Sequence, residues 1–174
     1  MARLSSLTLM LAAALSVSAC GFHLRGVGGS TDIPFRTMYV EGGGGVATGL
    51  QQYLRAVPGM TLAKQAKDAE ATIAVVSEKT DKTIRSLNQA GKVSEYELHY
   101  SLTYTLLGAS RQPLFPTSEI NIRRYMTYED SFALGKEQEE AMLVRDMQQD
   151  ATQQILRRLT VYKPRPEDMA SRVQ

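Results

Sequence analysis

The strongest pattern in the chain is the stretch "SEYELHYSLTYTLLG". Tyr96, Leu98, Tyr100, Leu102, Tyr104 and Leu106 alternate there with Glu95, Glu97, His99, Ser101, Thr103 and Thr105. Successive side chains of a strand point to opposite faces, so this alternation predicts a long strand with one dry and one wet face. "ATIAVVSEKTDKTIRSL", residues 71–87, reads as a preceding strand, strongest at Ile73 to Val76, and Asn88-Gln89-Ala90-Gly91 is a turn that joins the two as a long hairpin. After Gly108 and the Arg111-Gln112-Pro113 turn, Ile120, Ile122, Met126 and Tyr128 repeat the alternation in a third strand. "FRTMYVEG" reads as a short first strand with Met38 and Val40 on one face.

Two segments switch to helical spacing. Val46, Leu50, Tyr53, Leu54 and Val57 form one apolar stripe, closed by Pro58-Gly59. Leu143, Met147, Ala151, Ile155 and Leu159, flanked by Val144 and Leu156, form a second. Glu137, Glu139 and Glu140 crowd its start and Arg157 and Arg158 its end, as the helix dipole favours. The order is strand, helix, three strands, helix. The long strand has a single apolar face, so both helices are expected on the same side. The expected fold is therefore α+β: a two-layer sandwich, two helices packed on one face of a mainly antiparallel (mixed) four-stranded sheet. No repeat and no second domain interrupts it.

The N-terminus departs from this pattern. Arg3 precedes "LSSLTLMLAAALSVSA", and no further charge appears before Arg25. A basic start, a short apolar core and small residues are the anatomy of an export signal. Leu4 to Ala19 carries five Ser or Thr and is shorter than the roughly 20 apolar residues that a membrane span needs. Cys20 is the only cysteine in the 174 residues, so no intramolecular disulfide is possible. Val17-Ser18-Ala19-Cys20 resembles the lipobox of bacterial lipoproteins, which implies a diacylglycerol on the Cys20 thiol and cleavage before it. Each buried methylene contributes about 0.8 kcal/mol, and a single chain holds only marginally, so several chains are needed for a stable anchor. Gly21, where Asp would retain a lipoprotein in the inner membrane, implies sorting to the outer membrane, facing the periplasm. The expected boundaries are a signal peptide at 1–19, a lipidated segment and linker at 20–34, a domain at 35–163 and a polar tail at 164–174.

Composition argues against several function classes. The formal charge is +2, with no basic arm and no zinc-finger spacing, so no nucleic-acid partner is expected. His23 and His99 are far apart and lack metal-ligand spacing. No G-x-S-x-G elbow is present. Gly42 to Gly45 lie between a strand and a helix, where phosphate loops occur, but no Gly-Lys-Ser/Thr follows, and a flexible loop is the better reading. Glu95 and Glu97 read as solvated strand residues rather than an acid–base pair. An enzyme is the minority class, and no cofactor is expected apart from the covalent lipid on Cys20. Lys79, Lys82, Arg85 and Lys92 instead gather around the hairpin tip beside Ile84 and Leu87, with Lys136 near the start of the last helix. Cations beside apolar groups suit an amphipathic anion such as a phosphorylated glycolipid.

The motif "CGFHLRG" at the lipobox cysteine resembles the LptE family of lipopolysaccharide-assembly outer-membrane lipoproteins, whose mature chains begin with Cys-Gly, an aromatic residue and His-Leu-Arg. "NQAGKVSEYEL" resembles the family's hairpin tip and following strand. "SFALGKEQEEAMLVRDMQQDATQQILRRL" resembles its final helix. The resemblance spans most of the mature chain and implies a plug inside the LptD β-barrel, a role in LptD assembly and binding of lipopolysaccharide. Barrel interiors are polar, which suits a plug with mixed surface charge. Carried over by position, the family's ligand contacts point to Lys136 first, then Arg85 and Lys92 on either side of Asn88-Gln89-Ala90-Gly91, with Lys82 beside them. Two other readings stay open: a different envelope-assembly scaffold without a lipid ligand, and a lipid-anchored hydrolase. Phe22, His23, Leu24 and Arg25 are expected to pack on the barrel wall or the first strand.

Overall fold

The computed structural model describes residues 33–165. The expected signal peptide, Cys20, the linker as far as Thr31-Asp32 and the end of the tail lie outside the described residues. Five strands and two long helices follow in the order β1 (Thr37–Glu41), α1 (Gly45–Ala56), β2 (Thr61–Leu62), β3 (Ala71–Leu87), β4 (Val93–Gly108), β5 (Pro113–Thr127) and α2 (Ala133–Val161). Single 3-10 turns precede β3 and α2.

The strands form one mixed sheet in the order β2-β1-β3-β4-β5. β1 runs parallel to both β2 and β3, whereas β3, β4 and β5 form an antiparallel meander. The expectation of four strands therefore needs correction to five. The additional strand is the two-residue edge Thr61–Leu62, paired with Thr37 and Met38. Two residues cannot display a period, and parallel edge pairing depends on a distant partner rather than on local alternation.

The core lies between the sheet and the two helices. Met38 and Val40 of β1, Ala71 and Ile73 of β3, and Leu98, Tyr100, Leu102, Tyr104 and Leu106 of β4 face Val46, Leu50 and Leu54 of α1 and Met147, Ala151, Ile155, Leu156 and Leu159 of α2. Each of the larger aliphatic side chains among them contributes about 1.5–3 kcal/mol on removal from water, before the entropy of ordering it is subtracted. Gly49 of α1 sits against Thr152 of α2, so the two helices approach closely where a side chain is absent.

β3 behaves differently from the simple alternation of β4. Its register with β4 shifts between Val75 and Ser77, a β-bulge that changes the phase of the strand. Before it, Ala71, Ile73 and Val75 pair with Gly108, Leu106 and Tyr104; after it, Glu78, Thr80, Lys82 and Ile84 pair with Leu102, Tyr100, Leu98 and Tyr96. The residues that follow the bulge on the helix-facing side are thus mostly polar.

α2 begins at Ala133, a turn earlier than the acids suggest. Its first turn holds no acid, and Glu137, Glu139 and Glu140 lie in the second. Two of those carboxylates are engaged by lysines, as described below.

Candidate functional site

The hairpin tip is built by Asn88. Its side-chain Oδ1 accepts hydrogen bonds from the backbone N–H of Ala90 (2.9 Å) and Lys92 (3.0 Å). Gly91 takes φ 74°, a left-handed conformation that glycine adopts without steric cost. This turn carries the β3–β4 hairpin past the covered part of the sheet. β3 is exposed from Lys79 to Arg85, whereas Ala71 to Ala74 are buried.

The expected cations do not form one constellation. Lys82 follows the bulge onto the helix-facing side, where its Nζ pairs with Glu140 of α2 at 2.5 Å and lies 4.4 Å from the ring centroid of Tyr96. Tyr96 packs edge-on against Tyr128, with centroids 5.1 Å apart. Lys136 donates to Thr127 Oγ1 (3.1 Å) and Glu139 (2.7 Å), and its side chain is only 19% exposed. Lys92 pairs with Asp130 at 3.1 Å, tying the tip to the segment that enters α2, and remains 66% exposed. Arg85 lies on the other side of the sheet. It stands over the ring of Tyr125 at 4.1 Å and pairs with Glu95 at 3.3 Å. Tyr125 and Glu95 belong to the polar face, so the sheet separates Arg85 from Lys82, whereas Lys136 reaches round the sheet end to Thr127, the register partner of Glu95.

Exposed apolar groups lie at the same end of the molecule. Ile84, Leu87 and Phe132 are 59%, 57% and 64% exposed near the hairpin tip and the entry to α2. A shallow cavity of about 370 Å³ between the tip and that entry is lined by Asn88, Lys92, Val93, Tyr128 and Asp130, among others. This end of the molecule combines lysines, rings and exposed aliphatic groups. The arrangement suits recognition of an amphipathic anion and offers no nucleophile–base pair.

The remaining candidates resolve into structural roles. Glu95 holds Arg85, and Glu97 holds Arg123 at 3.5 Å, so the two carboxylates neutralise cations rather than face a common substrate. His99 Nε2 lies 3.2 Å from Asn121 Oδ1 on the polar face. Among the described residues no group of His, Cys, Asp and Glu could hold a metal ion, and no helix is long and apolar enough to cross a membrane. His23 lies outside them.

The glycine run is occupied rather than open. Gly42 (φ 106°) abuts the carbonyl of Val75, where an added Cβ would lie 2.7 Å from the oxygen. At Gly44 (φ 97°) an added Cβ would overlap the Glu78 carboxylate, which Gln148 Nε2 also reaches at 2.8 Å. A carboxylate already stands at the start of α1, so a phosphate would meet negative charge there. A groove of about 610 Å³ runs between the helices beside this point and is lined by Gly45, Gly49, Gln52, Arg145, Gln148 and Thr152, among others.

Arg124 escaped the sequence reading. It shares the helix-facing side of β5 with Ile120, Ile122 and Met126 and reaches Asp146 (3.0 Å) and Asp150 (3.5 Å) of α2. An arginine in phase with three apolar residues was the available signal.

Fold and surface together define a small α+β module with a polar sheet face and an end where paired lysines and carboxylates lie beside exposed apolar groups. Residues 35–159 match the family model LptE, lipopolysaccharide-assembly. The chain belongs to the LptE family, whose members are non-enzymatic assembly lipoproteins. It is 26% identical to the LPS-assembly lipoprotein LptE of Pectobacterium atrosepticum over 160 residues, covering 87% of this chain and 83% of that protein. The solution structure of lipoprotein B from Nitrosomonas europaea is 34% identical, with a TM-score of 0.68 over 80% of this chain and 90% of its own. The crystal structure of rare lipoprotein B from Shewanella oneidensis (21% identity, TM-score 0.61, 71% and 92% coverage) shares the fold.

Proposed function

We propose that this protein is an outer-membrane lipoprotein, anchored through acyl chains on Cys20 and facing the periplasm, that plugs and helps assemble the LptD β-barrel and binds lipopolysaccharide on its way to the outer leaflet. Membership of a lipopolysaccharide-assembly family over residues 35–159 carries the reading. The lipobox-like Val17-Ser18-Ala19-Cys20 supports the anchor. The polar sheet face, with Glu97 paired to Arg123 and His99 beside Asn121, supports a plug within a polar lumen. The lysines beside Ile84, Leu87 and Phe132 support a phosphorylated, acylated ligand.

Its parts are tested separately. Affinity purification from outer membranes should bring down a large β-barrel, and depletion should lower surface lipopolysaccharide. Loss of surface lipopolysaccharide without a co-purifying barrel would overturn the plug. Charge reversal of Lys82 with Lys136 should weaken lipopolysaccharide binding by about tenfold or more, since two charge-assisted contacts are lost. Arg85→Glu, on the opposite sheet face, separates the two faces as binding surfaces. Labelled palmitate should enter the wild-type chain and not Cys20→Ser.

A further inference from the structure

We propose that Asp130 and Glu140 act as built-in competitors for the lipid's anionic group, and so set which phosphate chemistry this end of the molecule accepts. The inference rests on the reading that Lys82, Lys92 and Lys136 form the lipid-binding end.

The observation is that the cations are already partnered. Glu140 on α2 holds Lys82 of β3, 58 residues away, and Asp130 holds Lys92 at the hairpin tip, 38 residues away. Both pairs bridge the hairpin to the α2 entry, whereas Lys136–Glu139 lies within one helix. Both are accessible, with side-chain exposures of 36% and 29% for Lys82 and Glu140 and 66% and 63% for Lys92 and Asp130. Such pairs are weak enough to exchange with a ligand.

An arriving phosphate therefore does not meet a free lysine. It exchanges with a carboxylate of charge −1. A phosphodiester headgroup also carries about −1, so the exchange gains little. A phosphomonoester carries about −1.5 to −2 with three acceptor oxygens, and the exchange favours it. The competition lowers both affinities by the same factor, so it acts as a threshold that the phosphodiester lipids of an ordinary membrane do not pass and a lipid with terminal phosphate groups does. Displacement also releases the two hairpin-to-helix ties, so the tip is freed as the ligand binds.

The test uses the purified full chain in a neutral detergent, titrated with dihexanoyl phosphatidic acid, a phosphomonoester, and dihexanoyl phosphatidylglycerol, a phosphodiester. Wild type should bind the monoester several-fold tighter. Asp130→Asn with Glu140→Gln should gain about threefold or more for the phosphodiester, the scale of one released surface pair. Asp68→Asn with Glu119→Gln raises the net charge equally, leaves both pairs intact, and should gain nothing. A phosphodiester affinity unchanged in the first variant, or raised equally in the second, overturns the proposal while binding that remains sensitive to Lys82→Glu preserves the site. Monoester binding insensitive to Lys82→Glu with Lys136→Glu overturns the site itself, and the competition with it.

Discussion

The backbone of Gly44 lies against the carboxylate of Glu78, at the point where α1 begins and β3 has just passed its bulge. A side chain at Gly44 would overlap that carboxylate, and the φ of 97° disfavours any L residue there. Gly43, one residue earlier, has nothing within 4 Å of an added Cβ. Gly44→Ala should therefore cost about 1–3 kcal/mol through strain and displacement of Glu78, whereas Gly43→Ala should stay within about 0.5 kcal/mol of wild type. Urea unfolding of the two variants checks this directly. Equal costs would show that the run is a simple flexible loop.

Arg124 joins β5 to α2 through Asp146 and Asp150, on the side of the sheet that the helices cover. Its side chain is 34% exposed, so solvent weakens the pairing and the aliphatic stem contributes alongside the charge. A double-mutant cycle of Arg124→Met and Asp146→Asn should give a coupling of about 0.5–1 kcal/mol at low salt, and less at 1 M salt. A coupling near zero would make Arg124 a packing residue only.

Legibility along the chain followed the continuity of the period. β4 was readable because Leu98 to Leu106 alternate without interruption, and Leu98, Tyr100, Leu102, Tyr104 and Leu106 are buried as the pattern selects, although Thr105 of the wet face is buried too. α1 and α2 were readable from their stripes, with bounds shifted by a few residues. β3 was readable as a strand over Ala71–Leu87, but the facing of its second half was not, because the bulge between Val75 and Ser77 moves Lys82 and Ile84 onto the helix-facing side. With that phase unknown, Lys82 and Arg85 looked like one cluster, although the sheet divides them. The partners Glu140 and Asp130 lie 58 and 38 residues from their lysines, beyond the reach of any local pattern.

The same bulge gives a test by deletion. Removing Val76 takes out the extra residue and leaves Lys82 and Ile84 in phase with the helix-facing side, so it should cost no more than about 1–2 kcal/mol. Removing Thr80 sends Lys82 and Ile84 to the opposite face and separates Lys82 from Glu140. That deletion should cost more than Val76's and should abolish the coupling between Lys82 and Glu140 in a double-mutant cycle. Equal costs, with the coupling kept in both, would mean that the strand slips in register to absorb either loss.

Tyr100 is fully buried in β4, and its hydroxyl faces the Glu78 carboxylate, whose Oε1 accepts from Gln148 while Oε2 and the hydroxyl make no well-aligned hydrogen bond. Burial first, and the neighbouring carboxylate second, push its pKa far above the ordinary tyrosine value. An unfolded tyrosine releases its proton near pH 10, whereas the folded Tyr100 holds it. The stability linked to this proton is complete below about pH 10 and falls as the pH rises above that value, by up to about 1.4 kcal/mol per unit. Tyr100→Phe removes the group. It should lie within about 1 kcal/mol of wild type at pH 8, because the hydroxyl gains little where it stands. Between pH 10 and 11.5 its stability should fall less steeply than that of wild type, and subtracting the two curves cancels the other tyrosines and the lysines. Parallel curves across that window would show that Tyr100 ionises as easily in the folded protein as in the unfolded chain.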